Sequence, residues 1–186
     1  MKQLFPHICF GKEAAMQTMP KAFLEKTPFF GALPDETFSK LEGMLKQRQF
    51  KEGQTIFFEG DRGASMFIIV SGEVLMVRRS AAADSNVRLV RLHPGDFFGE
   101  TTLIEMQPRQ STAQAETDVQ LLELTSMDLY KLYKTDVKGY VLILQNINRE
   151  LCRRLRAANS RVTDLAAVAD DTDKTQIAYV KPIVSK

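Results

Sequence analysis

What most restricts the fold of this chain is a block of short apolar runs separated by turn signals. Phe50 and residues 56–58, 66–70, 74–77, 87–92, 97–98, 111–115 and 119–124 form apolar or alternating stretches. Between them stand Glu52-Gly53, Gly60-Asp61-Arg62-Gly63, Ser71-Gly72 and the looser stretch 80–86. Strands punctuated about every 8 to 12 residues indicate an all-β sandwich or barrel rather than βαβ units. The block therefore reads as a β-roll or jelly roll of about eight strands in two sheets that bury a common interior. Glu59-Gly60-Asp61 and Gly72-Glu73 read as turns, because an acidic metal loop needs further spaced carboxylates.

Helical periods flank the block. Phe23, Leu24, Phe29, Phe30, Phe38, Leu41, Met44 and Leu45 recur at three and four residues, which predicts short helices with an aromatic stripe turned to the core. Pro34-Asp35-Glu36 suits the start of the second of these, with acids in the first turn where the helix dipole favours them. After the block, Ser126-Met127-Asp128 offers N-cap chemistry and Gly139 is expected to separate a short helix from a long one.

One segment inside the block, 95–115, gathers polar groups of defined chemistry between apolar runs. Pro94-Gly95 suits a type II turn, since proline presets φ and glycine accepts φ > 0. The run Thr101-Thr102-Leu103-Ile104-Glu105 after Gly99 can form one helical turn. Its free N–H groups would point back toward Gly99 and make an anion site. Arg109 lies just beyond. A guanidinium and free N–H groups take phosphate oxygens, whereas the Glu100 carboxylate accepts from a hydroxyl. The pair thus suits a small ligand bearing both groups, with Arg109 serving the ligand more than the fold. A structural ion pair of Glu100 with Arg109, capping the short helix without a ligand, is the alternative.

The residues Phe98-Gly99-Glu100, Leu103 and Pro108-Arg109-Gln110-Ser111-Thr112-Ala113 resemble the phosphate-binding cassette of cyclic nucleotide-binding domains, the family of the catabolite activator and cAMP-dependent kinase regulatory type. The resemblance extends from about Phe23 to Leu165 and includes the runs 53–61 and 66–74. It implies cAMP or cGMP as ligand and no metal. Glu100 takes the part of the ribose 2'-hydroxyl acceptor, Arg109 that of the phosphate-binding arginine, and Gly99 that of close backbone approach. Thr101, Thr102, Gln110 and Ser111 complete the cassette. Two positions depart from the family pattern: Gln110 replaces a small residue, and Met106-Gln107 stands where many members have glycine. The resemblance puts Ala158 and Asn159 at the two positions that touch the purine; the Asn159 amide can both donate and accept, whereas Ala158 can read neither base.

Composition excludes other classes. The chain has 186 residues, 44% hydrophobic and 26% charged, with a net charge of +2, which suits a folded globular domain without membrane spans and is too weak a charge to argue for nucleic acid on its own. Cys9 and Cys152 are too few for a disulfide framework or zinc site, so a reducing cytoplasm is expected. Met1–Phe10 has no signal-peptide pattern, and His7 and Cys9 are read as packing residues rather than metal ligands. With no nucleophile–base pair, metal cluster or Walker-type loop, an enzyme is not expected.

The last third supplies a possible interface. Leu144, Ile147, Leu151, Leu155, Ala158, Val162, Leu165 and Ala169 step by three and four, a heptad seam with one stutter. Arg149, Glu150, Arg153, Arg154, Arg156 and Arg161 are assigned to the opposite, solvated face. So narrow a stripe on so long a helix predicts a homodimer, and the resemblance implies the same helix as lid over the nucleotide. The resulting division is an N-terminal arm (1–20), a helical lead-in and nucleotide-binding roll (21–125), C-terminal helices for lid and dimer (126–169) and a tail (170–186). The family's transcription factors carry a helix-turn-helix domain of about 70 residues after that helix; here the tail is short, so no DNA-binding domain is expected. The role read from these features is a stand-alone sensor whose output is an unidentified effector protein. The alternative is a ligand-free β-roll and coiled-coil interaction module.

Overall fold

Among the described residues eight strands form from the alternating stretches, and they pair in two four-stranded antiparallel sheets. In the computed structural model, which describes residues 21–80 and 85–172, one sheet has the order β1 (Lys46–Phe50), β8 (Val119–Thr125), β3 (Ser65–Ser71), β6 (Phe97–Phe98). The other has β2 (Thr55–Phe57), β7 (Thr112–Ala115), β4 (Val74–Ser80), β5 (Ser85–Leu92). Inward positions from both sheets, among them Phe50, Phe57, Phe67, Ile69, Val74, Met76, Phe98, Ala113, Val119 and Leu121, make one continuous core, as a β-roll requires. The expected turn after β5 is present: Gly95 has φ 94°, and the Asp96 amide donates to the His93 carbonyl at 3.0 Å. The arm 1–20 with His7 and Cys9, much of the loop 80–86, and residues 173–186 lie outside the described residues.

The helical lead-in consists of α1 (Lys21–Leu24), a 3-10 turn (Pro28–Phe30) and α2 (Asp35–Glu42). Its aromatic stripe is core, as the spacing predicts. Phe29 meets Phe30 and Phe97 edge to face at 5.1 and 5.7 Å, and Phe30 lies 5.2 Å from Phe38. Asn146, buried, donates its amide to the carbonyls of Phe29 and Gly31 at 2.9 and 2.8 Å, which ties this lead-in to the helix that follows the roll.

The other helices are α3 inside the roll (Glu100–Glu105) and, beyond the roll, α4 (Ser126–Thr135) and α5 (Val137–Thr172). The α4 cap is Thr125, one residue before the expected Ser126, in a capping box with Asp128. The α4–α5 break also differs from expectation: it falls at Asp136, not at Gly139. Asp136 is extended (φ −157°, ψ 78°), and its carboxylate accepts from the Gly139 amide at 2.9 Å and from the Thr37 hydroxyl at 2.6 Å. Gly139 stands in the first turn of α5 for a packing reason. A Cβ there would lie 2.4 Å from the Thr37 methyl.

The chain divides into two units between Ile147 and Asn148. In the first, Ile143 and Ile147 are fully buried, so Ile147 belongs to the unit's own core and not to an exposed seam. In the second, Leu155, Val162 and Leu165 are 61%, 65% and 70% exposed, which leaves the later part of the seam open. Glu150 is not a solvated residue as expected: it is 4% exposed and accepts from Arg153 and Arg154 at 2.6–2.8 Å.

Candidate functional site

The segment singled out in the sequence folds as α3 and the extended stretch leading to β7. Gly99 caps α3 with φ 78°, a left-handed conformation that favours glycine. A Cβ at this position would also lie 2.4 Å from Nη1 of Arg109. The glycine therefore serves both the turn and the approach of the guanidinium. At the other end of α3, Met106 occupies the left-handed region with φ 54°, its amide donating to the Thr102 carbonyl at 3.1 Å. Met106-Gln107 is the pair expected to stand where many family members have glycine, and Met106 holds its left-handed conformation at a backbone cost of roughly 1 kcal/mol.

Arg109 is placed by the turn between β2 and β3. Its amide donates to the Asp61 carbonyl at 2.9 Å, and its carbonyl accepts from the Gly60 amide at 2.8 Å. Asp61 in turn closes its own loop, accepting from the Phe58 amide at 2.9 Å. Residues read only as a turn in the sequence thus hold the arginine in register. Nothing in their spacing signals this, because the pairing joins positions far apart in the chain.

The side chain of Arg109 is 5% exposed. Nη1 donates to the Gly99 carbonyl at 2.9 Å and to the Thr102 hydroxyl at 3.3 Å, and Nη2 to the Ser65 carbonyl at 2.6 Å. The guanidinium carbon stands 4.1 Å from the centroid of the Phe57 ring and 5.9 Å from that of Phe67. Nε is buried and has no hydrogen-bond partner among the described residues. Burial pushes the pKa of Arg109 down to about 10, opposed by the charges of Asp61, Glu100 and Glu123, so it remains a cation at neutral pH. The expectation that Arg109 contributes little to the fold is not met. Its side chain binds together β3, α3 and the aromatic interior.

Glu100 is 4% exposed as the first residue of α3, and Thr102 is buried beside Arg109. Thr101 and Ser111 are half-buried, and Gln110 is exposed. The fold thus gathers Gly99, Glu100, Thr101, Thr102, Arg109, Gln110 and Ser111 in one short stretch of structure. Asn159 lies in the second unit, exposed on α5, its carbonyl accepting from the Thr163 hydroxyl at 3.0 Å. Phe57, Phe67, Ser65 and the Gly60-Asp61 turn are the site components that the sequence reading missed.

A buried cation with one N–H lacking an acceptor, next to the start of a helix, is suited to an anion. A carboxylate at the same helix start adds an acceptor for a hydroxyl. Among the described residues no group of three or more His, Cys, Asp or Glu side chains is placed to hold a metal ion, and no helix is long and apolar enough to cross a membrane.

Comparison with known proteins bears on the same region. Residues 47–136 match the family model described as Cyclic nucleotide-binding domain. The chain is 28% identical to a Thermus thermophilus protein, the Cyclic AMP receptor protein, over 85% of its own length and 70% of that protein's. It is 32% identical to the CRP-like cAMP-activated global transcriptional regulator of Mycobacterium tuberculosis over 76% of its own length, and spans 61% of that relative. In fold it is similar to a cyclic nucleotide-binding domain from Methylobacillus flagellatus, with a TM-score of 0.71, 20% identity, and coverage of 86% of this chain and 84% of that one.

Proposed function

Because the chain belongs, through residues 47–136, to the cyclic nucleotide-binding domain family, we propose that it binds a cyclic nucleotide, cAMP or cGMP, at the α3–Arg109 cassette and acts as a sensor rather than an enzyme. The observation that carries this reading is the buried Arg109, whose Nε lacks an acceptor. A cyclic phosphate supplies that acceptor together with a compensating negative charge. The N–H groups at the start of α3, beginning at Glu100 and Thr101, take further phosphate oxygens, and the Glu100 carboxylate takes the ribose 2'-hydroxyl. Thr102 holds Nη1, Gln110 and Ser111 border the phosphate, and Asn159 is the residue that the family resemblance assigns to the base. No metal takes part. The names of the relatives, a cyclic AMP receptor and a cAMP-activated regulator, make cAMP the first ligand to try.

The output in this reading passes to another polypeptide, with α5 as the element that ligand binding biases and through which two copies pair. Exposed Leu155, Val162 and Leu165 support the pairing. A ligand can bias such an equilibrium only by its differential affinity for the two arrangements, typically about 1 to 3 kcal/mol. One observation favours a second reading, that of a ligand-free interaction module: both Nη atoms of Arg109 already donate to the protein's own oxygens.

Displacement of a fluorescent cyclic nucleotide from the full chain by cAMP, cGMP and 5'-AMP separates the two. The sensor reading expects displacement by a cyclic nucleotide and weak competition by 5'-AMP. A probe that never binds, on a protein that is folded by circular dichroism, leaves the interaction module.

A further inference from the structure

The aromatic floor under Arg109 has no part in the reading above. We propose that Phe57 is a positioning residue for anion capture: its ring holds the Arg109 guanidinium in place without accepting an N–H, and so leaves Nε to the ligand. The inference rests on the proposed function for the identity of the ligand, but not for the geometry.

Phe57, Phe67 and Phe98 form a three-ring cluster inside the roll, with centroids 5.4–6.1 Å apart. Arg109 stands over the first ring at 4.1 Å and over the second at 5.9 Å. A cation this deeply buried needs stabilisation. The usual solution, a contacting carboxylate, would neutralise the charge and compete with any incoming anion. Among the described residues the guanidinium donates to the uncharged oxygens of Gly99, Thr102 and Ser65 and to no carboxylate, and the charges of Asp61, Glu100 and Glu123 act on it without a hydrogen bond. An aromatic face attracts a cation through its quadrupole without accepting an N–H and without cancelling the charge. Carbonyls fix the two Nη atoms, the ring fixes the plane's distance from the core, and Nε is what remains.

The experiment compares full-length wild type with Phe57→Leu, Phe57→Tyr and Phe50→Leu. Phe50 belongs to the same core cluster but not to the cassette, and so serves as a control for loosening of the core. Phe57→Leu is expected to weaken cAMP, or cGMP if that is the better ligand, by about three- to tenfold while leaving the uncharged parent nucleoside unchanged. Phe57→Tyr is expected to retain the affinity, and Phe50→Leu to lower the melting temperature without altering the nucleotide-to-nucleoside ratio. Equal losses for nucleotide and nucleoside in Phe57→Leu overturn the inference. A readout free of ligand is the Arg109 Nε–H resonance, identified by its absence in Arg109→Lys. It is expected upfield in wild type through the ring current of Phe57 and displaced in Phe57→Leu. An unshifted resonance in wild type overturns the positioning claim even if the variant fails to fold. If wild type binds neither cyclic nucleotide, the proposed function fails, and the resonance alone decides whether Phe57 positions Arg109.

Discussion

At the scale of single residues the site is a division of labour between a cation held by neutral groups and a buried carboxylate. Glu100 is assigned to the ribose hydroxyl, and that role is separable from a role in the fold by choice of ligand. Glu100→Gln is expected to weaken the parent cyclic nucleotide by roughly tenfold, in line with the worth of a charge-assisted hydrogen bond, while the 2'-deoxy analogue loses much less. Calorimetry with both ligands checks this; equal losses mean that Glu100 serves α3 instead. These two residues were legible in the sequence because Gly99, Glu100 and Arg109 sit close together in the chain with turn chemistry on either side. Their supports were not. Ser65 contributes a backbone carbonyl, which any residue has, and Phe57 reads as one more core aromatic until the roll closes and puts its ring 4.1 Å from the guanidinium.

At the scale of elements, the strands and the lead-in helices were legible because each repeats a period that burial enforces, and the bounds of β5 and β6 fall where turn residues place them. The α4–α5 boundary was misread because the sequence signal for a helix break, a glycine, has here a packing cause in Thr37. The actual break is held by the Asp136 carboxylate, which gains hydrogen bonds from two elements. The Thr37 hydroxyl, then the Gly139 amide and the Lys40 charge, hold the Asp136 carboxyl below its ordinary value. A depressed folded pKa means stabilisation that is complete above the unfolded carboxylate value of about 3.9 and is lost as pH falls through the lower, folded one. Asp136→Asn is therefore expected to lower the melting temperature by a few degrees at pH 7, with the gap to wild type closing below roughly pH 4. A gap that is constant from pH 7 to pH 3 excludes the charge as its source.

At the scale of the whole molecule, the proposed anion site depends on α3 interrupting the roll: strands spend their N–H groups on ladders, and a short helix start does not. The heptad seam was only partly legible. Periodicity alone cannot tell a residue buried in its own unit, as Ile147 is, from one exposed like Leu155. Leu155→Asp, which puts charge into the open part of the seam, is expected to convert dimer to monomer in light scattering, whereas Arg161→Glu leaves the mass unchanged; a Leu155→Asp variant that stays dimeric places the interface elsewhere. The central claim, that this fold is a receptor for a cyclic nucleotide, is tested most directly by the melting temperature of the full chain with and without cAMP or cGMP. At about a hundredfold excess over the dissociation constant, a ligand specific for the folded state adds about 2.7 kcal/mol, a rise of several degrees for a domain of this size. That rise is the predicted result, and a cooperative transition that neither nucleotide moves at millimolar concentration contradicts the account.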